Sequence, residues 1–212
     1  MTYLPEHFAQ TDLDEIETFL NANPFGTLVV HLNGELWPTP LPLIYQPDHG
    51  EFDQFIAHVS IQNDMWKANP NQDVLAIVQG PNTYVTPKWY ATKRETHKVV
   101  PTWNYAALHA WGRMTVNHDE KFKRMAVGLL TKIHEATNEQ PWKMGDAPQD
   151  YFADQLDGIV GLSIDITRIK AKWKLNQNRT EADRDGVIEG LEVRDTGDDQ
   201  TIRDMMIKVK NS

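Results

Sequence analysis

Two short segments combine residue types that could do chemistry. In Ala57-His58-Val59-Ser60-Ile61-Gln62-Asn63 a strand ends and a short helix begins, placing free backbone N–H groups among His, Ser, Gln and Asn. A strand end feeding a helix N-terminus suits a phosphate, because orphan amides and the helix dipole both favour an anion. The same residues also read as simple N-capping by Ser60 or Asn63, and pattern alone favours that reading. The second segment, Val100-Pro101-Thr102-Trp103-Asn104-Tyr105-Ala106-Ala107-Leu108-His109, lies near Trp89, Tyr90 and Trp111 in sequence and could wall a flat aromatic ligand. Core or subunit interface is the commoner fate of such rings. A third feature is basic: Arg168, Lys170, Lys172, Lys174 and Arg179 gather five of the 21 Lys and Arg within a dozen positions. Side chains two apart share a strand face, so they form a positive stripe. A solvated outer face is the plainer reading, and contact with phosphate or nucleic acid the sharper one.

The remaining inventory excludes a good deal. With no Cys, the chain has no disulfide framework, Cys-ligated zinc, iron–sulfur cluster or thiol nucleophile. Redox chemistry therefore requires a bound cofactor. The sequence has no Gly-rich phosphate loop, GxGxxG, HExxH or GxSxG. Its eight histidines never pair at the short spacing of a helix or hairpin metal site, so no metal is expected. A net charge of -9 opposes general affinity for phosphate backbones. Neither a membrane span nor a leader pattern is apparent, which makes a soluble cytoplasmic protein the expectation.

Several elements must position these groups. Leu13, Ile16, Phe19 and Leu20 mark an amphipathic helix over Asp12 to Ala22, with Asp12 and Glu15 spaced as a capping box and Pro24 as the stop. Phe25 to Leu32 reads as a strand, Asn33-Gly34 as a type I′ turn, and Glu35 to Tyr45 as the returning strand. Pro38, Pro40 and Pro42 leave one side of that arm without donors, a side that suits either a ligand or an open edge. Phe55 to Val59 is a strand, Gln62 to Ala68 a short helix, and Val74 to Val78 a buried strand. Gly80-Pro81-Asn82 then predicts a turn into a separate strand, Thr83 to Thr86. The polar stretch Lys88 to Lys98 reads as a loop, and Pro101 to Val116 as an extended segment interrupted near Gly112. The stripe Phe122, Met125, Ala126, Leu129, Leu130, Ile133 predicts a helix over Asp119 to Ala136. Apolar parity switches between Ile166 and Ile169, which requires a bulge or bend near Thr167-Arg168. Two helices are expected at the end, around Val187 to Leu191 and Ile202 to Val209, with Thr196-Gly197-Asp198-Asp199 as a polar linker. Strands in short-turn succession with peripheral helices favour an antiparallel α+β barrel over a parallel sheet.

The chain also resembles the PaiB-type family of FMN-binding negative transcriptional regulators, a branch of the FMN-binding split barrels that includes pyridoxamine phosphate oxidases. The resemblance rests on Tyr3-Leu4-Pro5-Glu6-His7-Phe8, Ala57-His58-Val59, Gly80 through Tyr90, Val100-Pro101-Thr102-Trp103-Asn104-Tyr105 and Lys174-Leu175-Asn176-Gln177-Asn178-Arg179, continuing through Asp183-Arg184 and Gly186-Val187. It implies a mainly antiparallel, six-stranded Greek-key split barrel at 1–178, a helical extension at 179–212, and a homodimer holding FMN at its interface. By the same resemblance, Thr39 would edge the flavin ring. His58, Ser60, Gln62 and Asn63 would face the phosphate and ribityl chain, and Thr86 and Trp103 would close the site, with the partner subunit as one source. Lys174 or Arg179 would supply the positive charge that the surroundings of Thr39 lack. The function implied is repression of sporulation and degradative-enzyme genes, through DNA directly or through a partner protein. A flavin-dependent oxidoreductase of the pyridoxamine phosphate oxidase-like group is the alternative.

Overall fold

The computed structural model describes residues 3–47, 53–70 and 72–210. His49, one of the eight histidines, and Met1-Thr2 of the amino-terminal segment lie outside the described residues. Eight strands and six α-helices follow one another along the described chain as β1 (Ala9–Gln10), α1 (Leu13–Ala22), β2 (Phe25–Leu32), β3 (Glu35–Pro42), β4 (Ile44–Gln46), β5 (Gln54–Ser60), β6 (Asp73–Val85), α2 (Lys93–Thr96), β7 (Thr102–Asn117), α3 (Glu120–Glu135), α4 (Gln149–Asp157), β8 (Ile159–Lys174), α5 (Glu181–Arg194) and α6 (Asp199–Lys210). The sheet runs β3-β2-β6-β7-β8-β5-β4, with β1 added to β8. Strand order departs from chain order, unlike that of an up-and-down barrel.

The strand count is eight rather than six because two short strands escape a periodicity reading. β1 is two residues paired with Ala171 and Lys172. The proline-rich arm breaks at Leu43, whose N–H leaves the ladder and donates to the Pro24 carbonyl at 2.7 Å. Other boundaries differ for related reasons. β6 runs unbroken through Gly80-Pro81-Asn82, where a turn is predicted, and β7 passes Gly112 without interruption. There the missing side chain answers close approach instead: a Cβ on Gly112 would lie 2.4 Å from the Asp165 carbonyl oxygen. The segment Gln62 to Ala68 forms only a 3-10 turn, Asp64–Lys67. α2 and a 3-10 turn, Pro87–Trp89, occupy the stretch read as a loop. Leu13 is exposed, so the buried stripe of α1 is Ile16, Phe19 and Leu20.

The chain forms two compact units. The second unit, Glu17–Val78 with His109–Ile169, contains the Asn33-Gly34 hairpin. Both turn residues have positive φ, 53° and 84°, as a type I′ turn needs. β3 ends the strand order, so its donor-poor proline side is the open edge. α3 lays Phe122, Leu129, Leu130 and the fully buried Ala126 against Ile44 and Ile56. Phe122 fits because residue 161 is glycine; a Cβ there would overlap the ring at 2.5 Å. Lys123, buried in the same helix, donates to the Leu156 carbonyl of α4 at 2.7 Å, satisfying an end-of-helix acceptor.

The first unit gathers Met1–Ile16, Gln79–Leu108 and Lys170–Ser212. Its core includes Val187 and Leu191 of α5 with Ile202 and Met206 of α6. Asp199, expected in a polar linker, is fully buried and bound to Arg194 and the Thr83 hydroxyl. Asp183 of α5, 2% exposed, accepts from both the backbone N–H and the hydroxyl of Thr92. These bonds tie β6 and the segment after it to the carboxy-terminal helices. In β8 the burial parity switches as expected, with Thr167 and Arg168 both exposed at the change.

Candidate functional site

Within the second unit, the end of β5, the 3-10 turn after it, β3 and the last turn of α4 surround a cleft of about 480 Å³. That size lies in the ~300–1,000 Å³ range of small-molecule sites. Thr39, His58, Ser60 and Asn63 line it, Pro40 and Pro42 form an apolar wall, and Asp154, Gln155 and Gly158 close the α4 side. Local capping orders the donors. Ser60 Oγ accepts from the Gln62 N–H at 3.2 Å, and Asn63 Oδ1 accepts from the Met65 N–H at 3.1 Å. Asn63 Nδ2 donates to Thr39 Oγ1 at 3.3 Å, joining β3 to the turn. The capping reading and the cleft reading thus describe the same residues. Gln62 is exposed and does not line the cleft.

Burial holds the His58 imidazole below its ordinary value. It is therefore neutral at pH 7 and offers one N–H donor and one acceptor rather than a cation. No Lys or Arg lines this cleft, and Asp154 is its one acidic side chain. A phosphate or sugar chain here would meet hydroxyl and amide groups without a countercharge.

The cations sit in the first unit. Lys174 Nζ donates to Thr102 Oγ1 at 2.6 Å and to the Trp103 carbonyl at 2.5 Å. Burial, and then the charges of Lys172 and Arg179, hold this ammonium below its ordinary value. Arg179 lies over the ring of Tyr90, 4.9 Å from its centroid. The Tyr90 hydroxyl, itself buried, accepts from Asn176 Nδ2 at 3.4 Å. Trp103 is 54% exposed and meets Tyr84 edge-on at 6.1 Å. Lys174 sits against the Trp103 carbonyl and Arg179 on the buried Tyr90 ring, so this region offers both positive charge and open aromatic surface. Thr86 stands apart from that group: its Oγ1 accepts from the Lys88 N–H and caps the turn Pro87–Trp89.

The predicted stripe of five cations is therefore only in part a solvated face: Arg168 is exposed, and Lys170 and Arg179 are half-buried. Lys172 is 9% exposed and donates to the Tyr3 carbonyl at 3.0 Å, Lys174 is bound as above, and Arg168 stacks on Trp111 at 3.8 Å. Alternation in the sequence gives the shared face, but only pairing of β8 with its neighbours decides whether that face meets water. Sequence reasoning also missed α4, and with it Asp154, Gln155 and Gly158. Its signal is slight, a proline at 148 and the apolar pair Phe152 and Leu156 four residues apart.

Comparisons with known proteins bear on both sets. A family model described as “Putative FMN-binding domain” matches residues 2–168. The “Protease synthase and sporulation protein PAI 2” of Bacillus subtilis (strain 168) is 30% identical over 205 residues, covering 96% of each chain. Among solved structures, the flavocytochrome Anf3 from Azotobacter vinelandii superposes with a TM-score of 0.62 at 18% identity, over 84% of this chain and 73% of that one. The FAD and heme binding protein from Mycobacterium smegmatis gives 0.56 at 14% identity, over 78% and 73%. At these identities the two structures share the fold, an antiparallel α+β sheet of the split-barrel kind.

Proposed function

We propose a function from one premise: the chain belongs to the FMN-binding domain family, with FMN as its cofactor. The residues present suit that group. Hydroxyls, an amide and a neutral imidazole in the second unit's cleft match a ribityl chain, and the open rings and cations of the first unit match a flat ring and an anion. Our reading is an FMN-binding regulatory protein that works as a homodimer. In it, Thr39, His58, Ser60 and Asn63 of one subunit hold the flavin's polar chain. Trp103, Lys174 and Arg179 are the set that a partner subunit brings. FMN would supply redox or sensing chemistry; the protein's groups bind and orient it.

The observation that carries the regulatory role is the collinear match, 96% of both chains, to a relative named for protease synthesis and sporulation. Direct repression by duplex contact is disfavoured on physical grounds. A net charge of -9 doubles in a dimer, and Lys172 of β8 is buried against the Tyr3 carbonyl. Regulation through a partner protein fits better. No helix among the described residues is long and apolar enough to cross a membrane.

Two measurements test this reading. Added to purified protein at micromolar concentration, FMN is expected to lose fluorescence saturably while the protein elutes as a dimer. Trp103→Ala should weaken FMN binding about 5- to 50-fold, the worth of one aromatic stacking contact. Unquenched flavin would remove the cofactor assignment from this protein, and an unchanged affinity in Trp103→Ala would remove that ring from the site. A labelled promoter fragment should show no shift at low salt without a second protein; a shift whose strength falls steeply with salt would instead support direct DNA contact.

A further inference from the structure

α3 presents a second face, distinct from the one that packs on the sheet. Gly128, Thr131, Lys132, Glu135 and Ala136 recur at helical spacing along it, and Pro141, Trp142, Lys143 and Met144 complete a pocket of about 450 Å³ in the second unit. Gly128 makes room for the floor: a Cβ there would sit 3.2 Å from the Met144 methyl. The returning chain is fixed by Glu135, whose Oε2 accepts from the Trp142 N–H at 2.9 Å and from Asn138 Nδ2 at 2.7 Å. A further bond, from the Lys143 N–H to Asp146 at 2.8 Å, closes the next turn. Trp142 keeps 42% of its surface open beside this trough.

The charge arrangement is uneven. Glu135, the pocket's one carboxylate, is committed to those two N–H donors. The ammonium groups of Lys132 and Lys143 have no carboxylate partner among the described residues. An apolar trough with an open indole and two unpaired cations at its edge selects for a ligand that is flat and apolar at one end and anionic at the other. We propose that this pocket is a second small-molecule site, for an aromatic carboxylate, separate from the residues assigned to FMN.

The test uses the full-length protein with and without FMN, and 1-naphthoate and its uncharged analogue 1-naphthylmethanol as probes, followed by titration calorimetry. Naphthoate is expected to bind saturably and to stay bound when FMN is added. Lys132→Met with Lys143→Met should weaken naphthoate about 3- to 10-fold, two exposed ion pairs' worth, and leave naphthylmethanol unchanged. Gly128→Leu fills the trough and should abolish binding of both probes while FMN binding persists. Where that variant fails to fold, Thr131→Phe obstructs the same trough from a partly open position and decides the matter. Absence of saturable binding, displacement by FMN, equal loss of both probes in the lysine variant, or undiminished binding with the trough filled would each overturn the proposal.

Discussion

Asp199→Ala is expected to destabilise the protein by about 3–5 kcal/mol, the cost of removing one partner from a buried ion pair. The side chain of Asp199 is fully buried and that of Arg194 is 29% exposed. The carboxylate accepts from Arg194 Nε at 2.7 Å and from the Thr196 N–H at 3.1 Å, and it also holds the Thr83 hydroxyl. Alanine would leave the guanidinium beside Trp89 without its counterion and would free the Thr196 N–H just before α6. Chemical denaturation followed by tryptophan fluorescence measures the change, and a loss below 1 kcal/mol would show that water replaces the carboxylate freely. The same pair makes an acid-side prediction. Hydrogen bonding to Arg194, opposed by burial and aided by Thr83 and Thr196, holds the Asp199 carboxyl well below the usual carboxylate range. Its folded value lies below its unfolded value, so the stabilisation is complete above about pH 4 and drains away as pH falls further. Asp199→Asn should lack that part of the acid-side loss.

Gly186→Ala and Gly190→Ala are each expected to cost about 2 kcal/mol, against the usual sign for glycine in a helix. In an open helix, alanine would stabilise by about 1 kcal/mol. Here a Cβ at 186 would lie 2.1 Å from the Trp89 carbonyl oxygen, and one at 190 would lie 2.3 Å from the Trp89 ring. Overlaps that severe sit at or above the upper end of the ~1–3 kcal/mol range for overpacking and outweigh the helical gain. Gly145→Ala is the control, since nothing lies within 4 Å of its Cβ position, and its midpoint should barely move. Equal midpoints for all three variants would mean that Trp89 shifts aside at little cost. Because Trp89 ends the turn that Thr86 caps and precedes buried Tyr90, displacing it should also disturb the ring on which Arg179 rests.

How much of this was legible beforehand depended on the range of the interaction responsible. α3 and the Asn33-Gly34 hairpin follow from local rules, a 3.6-residue stripe and a dipeptide that tolerates positive φ, and both formed where those rules put them. Gly80-Pro81-Asn82 obeyed the same local vocabulary and misled, because neighbouring strands carry β6 straight through it. Thr39, His58, Ser60 and Asn63 carry a signal as a set, since a strand end running into a capped turn can be recognised from spacing. The α4 side of the cleft carries almost none. Asp199 read as linker, and its counterion and hydroxyl partner come from positions 194 and 83.

By itself the sequence determined that any redox chemistry must be a cofactor's, since it holds no cysteine, and that the elements would form an antiparallel α+β fold. Family motifs spread over residues 2–168 named FMN. Only the tertiary structure decided the fate of the charges. Lys172, Lys174 and Arg168 alternate on one strand as a solvated stripe would, yet each finds a carbonyl, a hydroxyl or a ring. Alternation specifies which side chains share a face, whereas water or protein on that face is set by residues distant in the chain, so a local pattern could not foretell it.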